Sequence, residues 1–428
     1  MRILIKNGRV IDPQSGRDEI TDVLIDGDTV ERIDRDIDPS VADLVLNAEG
    51  LIVSPGLIDV HAHLREPGYE WKETIATGTQ AAAKGGFTSV LCMANTDPVN
   101  DNKSVTEYIT KKALVEGAVR VFPCGAITKG LLGADLSEMG EMHQAGAIAV
   151  SDDGKSVMNA GLLLKAMEYA KLFNMAVISH CEDQTLATGF VHEGSVSLLT
   201  GIDASPSLAE EIIAARDIAL ARYVDSPVHI THMSSATTVD IVREGKKRSS
   251  KVSGDTCPHY FTLSDEATLD YDTNAKVNPP LRSRSDMAAI KEGLRDGTID
   301  IIATDHAPHD ALSKDVEFNL ASFGISGFET ALPLSLALVH EGVLDLKSLL
   351  AKMTANPARL LGLPHGTLSA GRPADITIFS DKAEWTVDRK AFVSKGRNTP
   401  FDGFQMKGKN LMTIVAGKIA YSDPDHVF

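Results

Sequence analysis

Leu57-Ile58-Asp59-Val60-His61-Ala62-His63-Leu64-Arg65 is an apolar run of strand length that ends in polar chemistry. Side chains two apart on a strand share a face, so His61 and His63 point the same way. Seven more runs follow, at 87–93, 119–124, 147–151, 175–179, 228–231, 251–256 and 299–304. Stretches of helical period separate most of them, at 70–84, 104–116, 159–173, 207–223 and 283–295. Leu162, Leu163, Ala166, Tyr169, Ala170 and Phe173 follow a near-helical spacing, and Pro206 is placed to start a helix. A doubly wound sheet gives similar alternation, but eight strand–helix steps predict an α/β fold of the parallel (β/α)8 TIM-barrel kind.

The flanks read differently. Ile3-Leu4-Ile5 and Arg9-Val10-Ile11 flank Asn7-Gly8, an effective turn pair. Val23-Leu24-Ile25 and Val30-Glu31-Arg32-Ile33 flank Asp26-Gly27-Asp28. Short strand patterns return at 374–379 and 412–417. Both ends are therefore expected to build one small composite β-sandwich domain, residues 1–54 and 365–428, beside a barrel of residues 55–364.

The 428 residues are 43% hydrophobic and 24% charged, which excludes a disordered or low-complexity protein. Lys plus Arg is 42 against 59 Asp plus Glu, a formal net charge of −17. That balance argues against nucleic acid or an anionic membrane as a partner, and any anionic substrate must be held by local positive charge. No apolar run approaches the roughly 18 residues of a membrane span. Met1 to Arg9 interrupts its apolar residues with charges, unlike a secretory signal. Cys92, Cys124, Cys181 and Cys257 are scattered without a C-x-x-C pair, as expected of reduced thiols in a cytoplasmic protein.

What ends each run carries the chemistry. The first ends in His61 and His63, the second in Ala94-Asn95 and the fourth in Ser151-Asp152-Asp153-Gly154. The fifth ends at His180, the sixth at His232, the seventh near Cys257-Pro258-His259 and the eighth at Asp305. Parallel barrel strands bring such ends to one face. Singly, each has an ordinary explanation: H-x-H arises by chance, a strand-end histidine finds a hydrogen bond, and Asp153 could cap a helix. Together, imidazoles and carboxylates at matching ends suit Zn²⁺. His61, His63, Asp153, His180, His232 and Asp305 exceed what one tetrahedral ion needs, and two ions sharing a bridging carboxylate would use them all. His143 and His192 fall outside the strand ends, and His229 has a structural role. His259 could equally pack or hydrogen-bond.

Extended to Gly56 and to Glu66-Pro67-Gly68, the opening stretch resembles the first motif of type I dihydroorotases, in the amidohydrolase superfamily. Four more stretches agree in order: Gly86-Phe87-Thr88-Ser89-Val90 through Asn95-Thr96-Asp97-Pro98, Lys276-Val277-Asn278-Pro279-Pro280-Leu281-Arg282, Ala303-Thr304-Asp305-His306-Ala307-Pro308-His309, and Ser326-Gly327-Phe328-Glu329-Thr330. Arg397-Asn398-Thr399-Pro400-Phe401 is similar to the family's tail. The resemblance implies zinc-dependent, reversible cyclisation of N-carbamoyl-L-aspartate to L-dihydroorotate in pyrimidine biosynthesis. It implies two zinc ions per subunit, or one as in some members. His61, His63 and Asp305 would hold one, His180 and His232 the other, and Asp153 would bridge them.

Many relatives bridge with a carboxylated lysine. Here Asp153 is preferred over Asp152 and Lys155. Arg65, Asn95, Asn278 and His309, with His63, resemble the substrate-binding residues, and Phe323 and Gly324 match positions whose backbone meets the substrate ring. Asp305 would also carry the proton as the catalytic residue. The loop from Asp310 to Gly324 is placed to close over substrate. Relatives are often homodimers, and some associate with aspartate transcarbamoylase. The rival functions are another cyclic amidohydrolase (allantoinase, or dihydropyrimidinase/hydantoinase) and a metal-free structural paralogue.

Overall fold

The computed structural model describes residues 1–428. Eight parallel strands follow one another in chain order around a barrel. They are Leu57–Ala62, Phe87–Cys92, Arg120–Gly125, Ala149–Val150, Ala176–Ser179, Val228–Ile230, Val252–Thr256 and Ile301–Ile302. The seam between the first and the last is closed by single bonds. Ala62 bridges to His306, and the His63 N–H donates to His306 O at 2.9 Å. Asp59 braces the same seam, accepting from the Thr304 N–H at 2.9 Å and the Thr304 hydroxyl at 2.5 Å. Ile58 and Val60 alternate with it and join an apolar cluster with Ala358 and Leu361. That cluster also holds Leu91, Ala149, Ile178, Ile301 and Ala303 of other strands, so Ile58 and Val60 fill the barrel interior beneath the site, and a register shift between Asp59 and Ala62 separates them from the histidines.

The helices expected at 104–116, 159–173, 207–223 and 283–295 are Lys103–Glu116, Ala160–Lys171, Leu208–Tyr223 and Arg284–Arg295. Asn102, Asn159 and Ser283 cap three of them with side-chain oxygens. The first helix starts later than its period suggested, at Ile75 instead of residue 70. Thr74 and Thr77 cap each other across the first turn, which stops the helix there. Residues 66–73 are thereby left as a loop at the barrel mouth. A further helix, Ala236–Arg248, follows the sixth strand; its charged sequence buries only Thr238, Val239, Val242 and Gly245.

Both ends of the chain share one eight-stranded sheet. The strand Arg2–Asp12 pairs with Arg17–Asp26 on one side. On the other side its first half pairs with Leu44–Asn47 and its second half with Ile52–Pro55. Ile52–Pro55 in turn pairs with Ile376–Thr386, near the other end of the chain. The sheet thus branches and encloses a core of 17 buried residues from both ends. Asn7-Gly8 is not a hairpin turn, contrary to the sequence expectation. Asn7 does adopt a left-handed φ of 62°, but it bulges one continuous strand between Ile5 and Gly8. A Cβ on Gly8 would lie 2.5 Å from Val53 Cγ2, so the bulge lets two strands approach closely. No helix is long and apolar enough to cross a membrane.

Candidate metal centre and active site

His61 is buried beneath the mouth, near the end of the first strand. Thr231 donates its hydroxyl proton to Asp255 at 2.9 Å, so its oxygen accepts from His61 Nδ1–H at 2.8 Å. In the neutral imidazole that chain fixes the tautomer, with the proton on Nδ1 and His61 Nε2 free to ligate. This nitrogen has no hydrogen-bond partner and lies 3.3 Å from Asp153 Oδ1 and 3.5 Å from Asp305 Oδ1. His63 is set the same way. Its Nδ1 meets Asn95 Oδ1 at 2.9 Å, and its Nε2 faces Asp305 at 3.1 Å and Asp153 at 3.5 Å. His180 Nδ1 and His232 Nε2 stand 2.8 Å apart, 3.4 and 3.5 Å from Asp153 Oδ1.

Four imidazoles therefore converge on two carboxylates. Two overlapping triads, His61/Asp153/His232 and His61/His63/Asp305, have ligand atoms within 4.8 Å of one another. Burial opposes a charge on His61, but Asp153 and Asp305 overcome it and push the imidazole up to about 10. His180 rises to about 10 against the same burial, through its bonds to Asp153 and Glu182. Asp153 is held well below the usual carboxylate range by the imidazoles despite its burial. The cluster demands positive charge at its centre. A divalent cation supplies it directly, and the bare His61 nitrogen and the oxygen–nitrogen donor set fit a buried metal.

Asp152 and Asp153 separate cleanly. Asp152 turns away and accepts from the Ile127 and Thr128 N–H groups at 2.8 and 2.9 Å. Lys155 is exposed. Asp153 alone of the three faces the imidazoles.

Above this floor opens a cavity of about 310 Å³. Of the predicted site residues, all but the deeper His61 line it. Arg65 reaches in from the loop after the first strand. Its Nε donates to Pro308 O at 3.2 Å and its Nη2 lies 3.2 Å from His309 Nε2, so no carboxylate engages it. His309 Nε2 donates to Phe323 O at 2.8 Å, which leaves Nδ1 to accept from the Lys72 ammonium at 3.1 Å. Burial, with the charges of Arg65, Lys72 and Lys314, pushes this imidazole down to about 2, so it is neutral. Gly324 has a φ of 137°, and a Cβ there would lie 2.6 Å from Ala307 Cβ. The carbonyl of Phe323 and both backbone groups of Gly324 are already bonded within the protein. Asn95 spends its oxygen on His63. Asn278 lies against the Glu182 carboxylate.

Sequence reasoning missed the residues that hold these groups. Asp255 accepts from Thr231, from the His232 N–H at 2.7 Å and from His229 at 2.8 Å. The signal was an acid inside an apolar strand. Asn398 is buried and saturated: its amide donates to Ala307 O and Gly324 O, and its oxygen accepts from the His309 N–H and the Ser326 hydroxyl. Glu182 and Lys72 also went unremarked. His229, read as structural, is bonded to Ser253 and Asp255. His259 is buried against Tyr260, its Nε2 without a partner.

Residues 50–238 match the model of the dihydro-orotase-like family. A dihydroorotase of Geobacter metallireducens is 53% identical over 98% of this chain and 100% of its own length. One of Acetivibrio thermocellus is 53% identical over 97% of this chain and 98% of its own. Among solved structures, an L-hydantoinase (dihydropyrimidinase) from Arthrobacter aurescens superposes with a TM-score of 0.89 at 24% identity, covering 100% of this chain and 97% of that one. The dihydropyrimidinase from Brevibacillus agri gives 0.86 at 24%, covering 98% and 95%. At that identity the two structures speak for the barrel fold.

Proposed function

The chain belongs to the dihydroorotase family of the amidohydrolase superfamily, and from that premise we propose how its own residues carry out the reaction. It is a cyclic amidohydrolase acting on a small molecule. The reaction is the reversible closure of N-carbamoyl-L-aspartate to L-dihydroorotate. The observation that carries the reading is the pairing, in one cavity, of the imidazole–carboxylate cluster with Arg65, a cation that no carboxylate of the protein engages.

His61, His63 and Asp305 would hold one zinc ion, His180 and His232 a second, with Asp153 between them. When bound, such ions lower the pKa of a water molecule and polarise a ring carbonyl. Arg65 offers a planar guanidinium to the α-carboxylate, which orients the ring over the cluster. Neutral His309, its tautomer fixed by Lys72 and Phe323, presents no competing charge. Asn95 holds His63 in place, and Asn278, Phe323 and Gly324 shape the rim around the ring.

In ring opening, Asp305 takes the proton of the attacking water as its oxygen bonds to the carbonyl carbon. The carbon–nitrogen bond breaks, the nitrogen keeps the electron pair, and Asp305 returns the proton to it. In closure the carbamoyl nitrogen attacks the β-carboxyl carbon, the carboxylate having taken one proton from solvent, and loses its own proton to Asp305, which passes it to the departing oxygen so that water leaves. Four buried, unpaired thiols fit a reducing compartment, and so the cytoplasm.

The second reading is a hydantoin- or allantoin-type ring, which shares the barrel but carries no carboxylate for Arg65. Ring opening of dihydroorotate, allantoin and hydantoin by the zinc-loaded protein decides between them. Turnover of dihydroorotate alone supports the proposal, and preference for a neutral ring overturns it.

A further inference from the structure

A second cavity, of about 560 Å³, opens beside the active-site mouth. His309 lines both cavities. In a chain of net charge −17 its lining is cationic. Arg389, Lys390 and Lys395 come from the segment before the tail motif, Arg397 from its first position, and Lys314 from the loop. Only Asp310 and Asp315 oppose them.

Most of these charges are already committed. Arg389 pairs with Asp402 at 3.3 Å, and the Lys395 ammonium donates to Glu70 O. Lys314 is buried and donates to Ser322 O and Gly324 O. Asp310 caps the turn at Ser313. Lys390 and Arg397 are different: both are exposed, and no carboxylate or carbonyl of the protein engages either head group.

Their backbone is nevertheless fixed. The Lys390 N–H donates to Asp388. Arg397 sits between saturated Asn398 and Gly396, whose carbonyl accepts from Ser326 and whose Cα leaves no room for a side chain against Pro308. Two idle cations thus line a cavity that shares His309 with the substrate cavity.

We propose that this cavity is an anion antechamber, where Lys390 and Arg397 collect the dianion N-carbamoyl-aspartate before it passes His309 to Arg65. The inference rests on the functional reading above, because only that substrate brings two carboxylates. The acidic protein repels a dianion at long range, and a fixed cationic patch at the entrance reverses that field locally. Such a field is screened within about 10 Å at 0.1 M salt, so the effect belongs to low ionic strength.

The test is the double variant Lys390→Gln/Arg397→Gln in the zinc-loaded protein. KM for carbamoyl-aspartate should rise about fivefold at low salt with kcat within about twofold, and the difference should vanish near roughly 0.5 M salt. Lys390→Arg/Arg397→Lys, which keeps both charges, should restore the low KM. Inhibition by succinate should weaken in the double variant, and inhibition by the singly charged succinamate should barely change. An unchanged KM and salt dependence, or a loss that persists at high salt, overturns the antechamber. If the wild-type protein turns over no carbamoyl-aspartate at all, the functional reading fails instead. Calorimetric binding of succinate to wild type and double variant then still decides the antechamber, equal affinity overturning it.

Discussion

His61, His63, Asp153, His180, His232 and Asp305 leave barrel strand ends, whereas Arg65, His309, Phe323 and Gly324 are carried by loops. The first group is held by neighbours on adjacent strands: Asp255 and Thr231 behind His61, Asn95 beside His63. The second group is held by side chains that arrive from far along the chain. Asn398 reaches His309 and Gly324, Lys276 bonds Phe318 O and Asn319 O, and Lys314 bonds Ser322 O and Gly324 O. A floor of strand ends gives fixed positions for ion-binding chemistry. A wall of tethered loops gives a shape that can differ between relatives on the same floor.

The comparison can be broken from either side. The largest effect falls on the floor: stripping divalent metal with a chelator should abolish turnover by several orders of magnitude, with the fold retained by circular dichroism and activity returning with zinc. Asp153→Asn should behave alike, with metal analysis showing the ion lost. On the wall, Arg65→Ala should raise KM by roughly 10- to 100-fold, as expected for loss of charge-assisted bonds worth about 1.5–3 kcal/mol. Metal content, measured on the same sample, should not change. Thr231→Val should weaken metal affinity by roughly 10- to 100-fold while KM at saturating zinc stays put. Metal lost from the Arg65 variant, or a KM effect in the Thr231 variant, would erase the division between floor and wall.

Asn398→Ala comes next. It strips the partner from the His309 N–H and from the Ala307 carbonyl, at a cost of about 1–3 kcal/mol. Steady-state kinetics should show kcat/KM down roughly tenfold with metal content unchanged. The smallest effect is a pH dependence. Burial, and then Lys276, pushes the Lys314 ammonium down to about 7. A released loop restores its ordinary value near 10.5 and binds the extra proton. The closed loop is therefore most favoured above that ordinary value and loses this contribution as pH falls through about 7. Protease protection of the loop relative to a Lys314→Met variant should grow between pH 7 and pH 10. A gap that shrinks over that range would refute the assignment.

The floor was legible because period-two alternation and strand ends are local properties. His61 and His63 lie within three residues, and although each such residue alone has an ordinary explanation, their recurrence at the ends of successive apolar runs does not. The wall was not, since its supports look ordinary in sequence. Nothing in the local sequence sets Lys276 and Lys314 apart from solvent-facing lysines, yet they are 1% and 5% exposed. Asn398 belongs to a recognisable tail, but nothing local says that it holds a residue 89 positions earlier. Residues 70–74 read as helix because the period runs through them, and only the reciprocal Thr74–Thr77 cap ends it. Asn7-Gly8 carries the backbone freedom of a turn, which the fold uses for a bulge because Val53 crosses there.

The pairing of Ile52–Pro55 with Ile376–Thr386, and the reach of Asn398 into the loop, bear on synthesis at the ribosome. When the eighth barrel strand emerges, the opening segment still waits with a free edge, and His309 has no tether. The catalytic pocket is finished only when the tail itself is released. A product terminated before these segments would carry all six clustered imidazoles and carboxylates and still lack the tether on His309 and the partner of Ile52–Pro55.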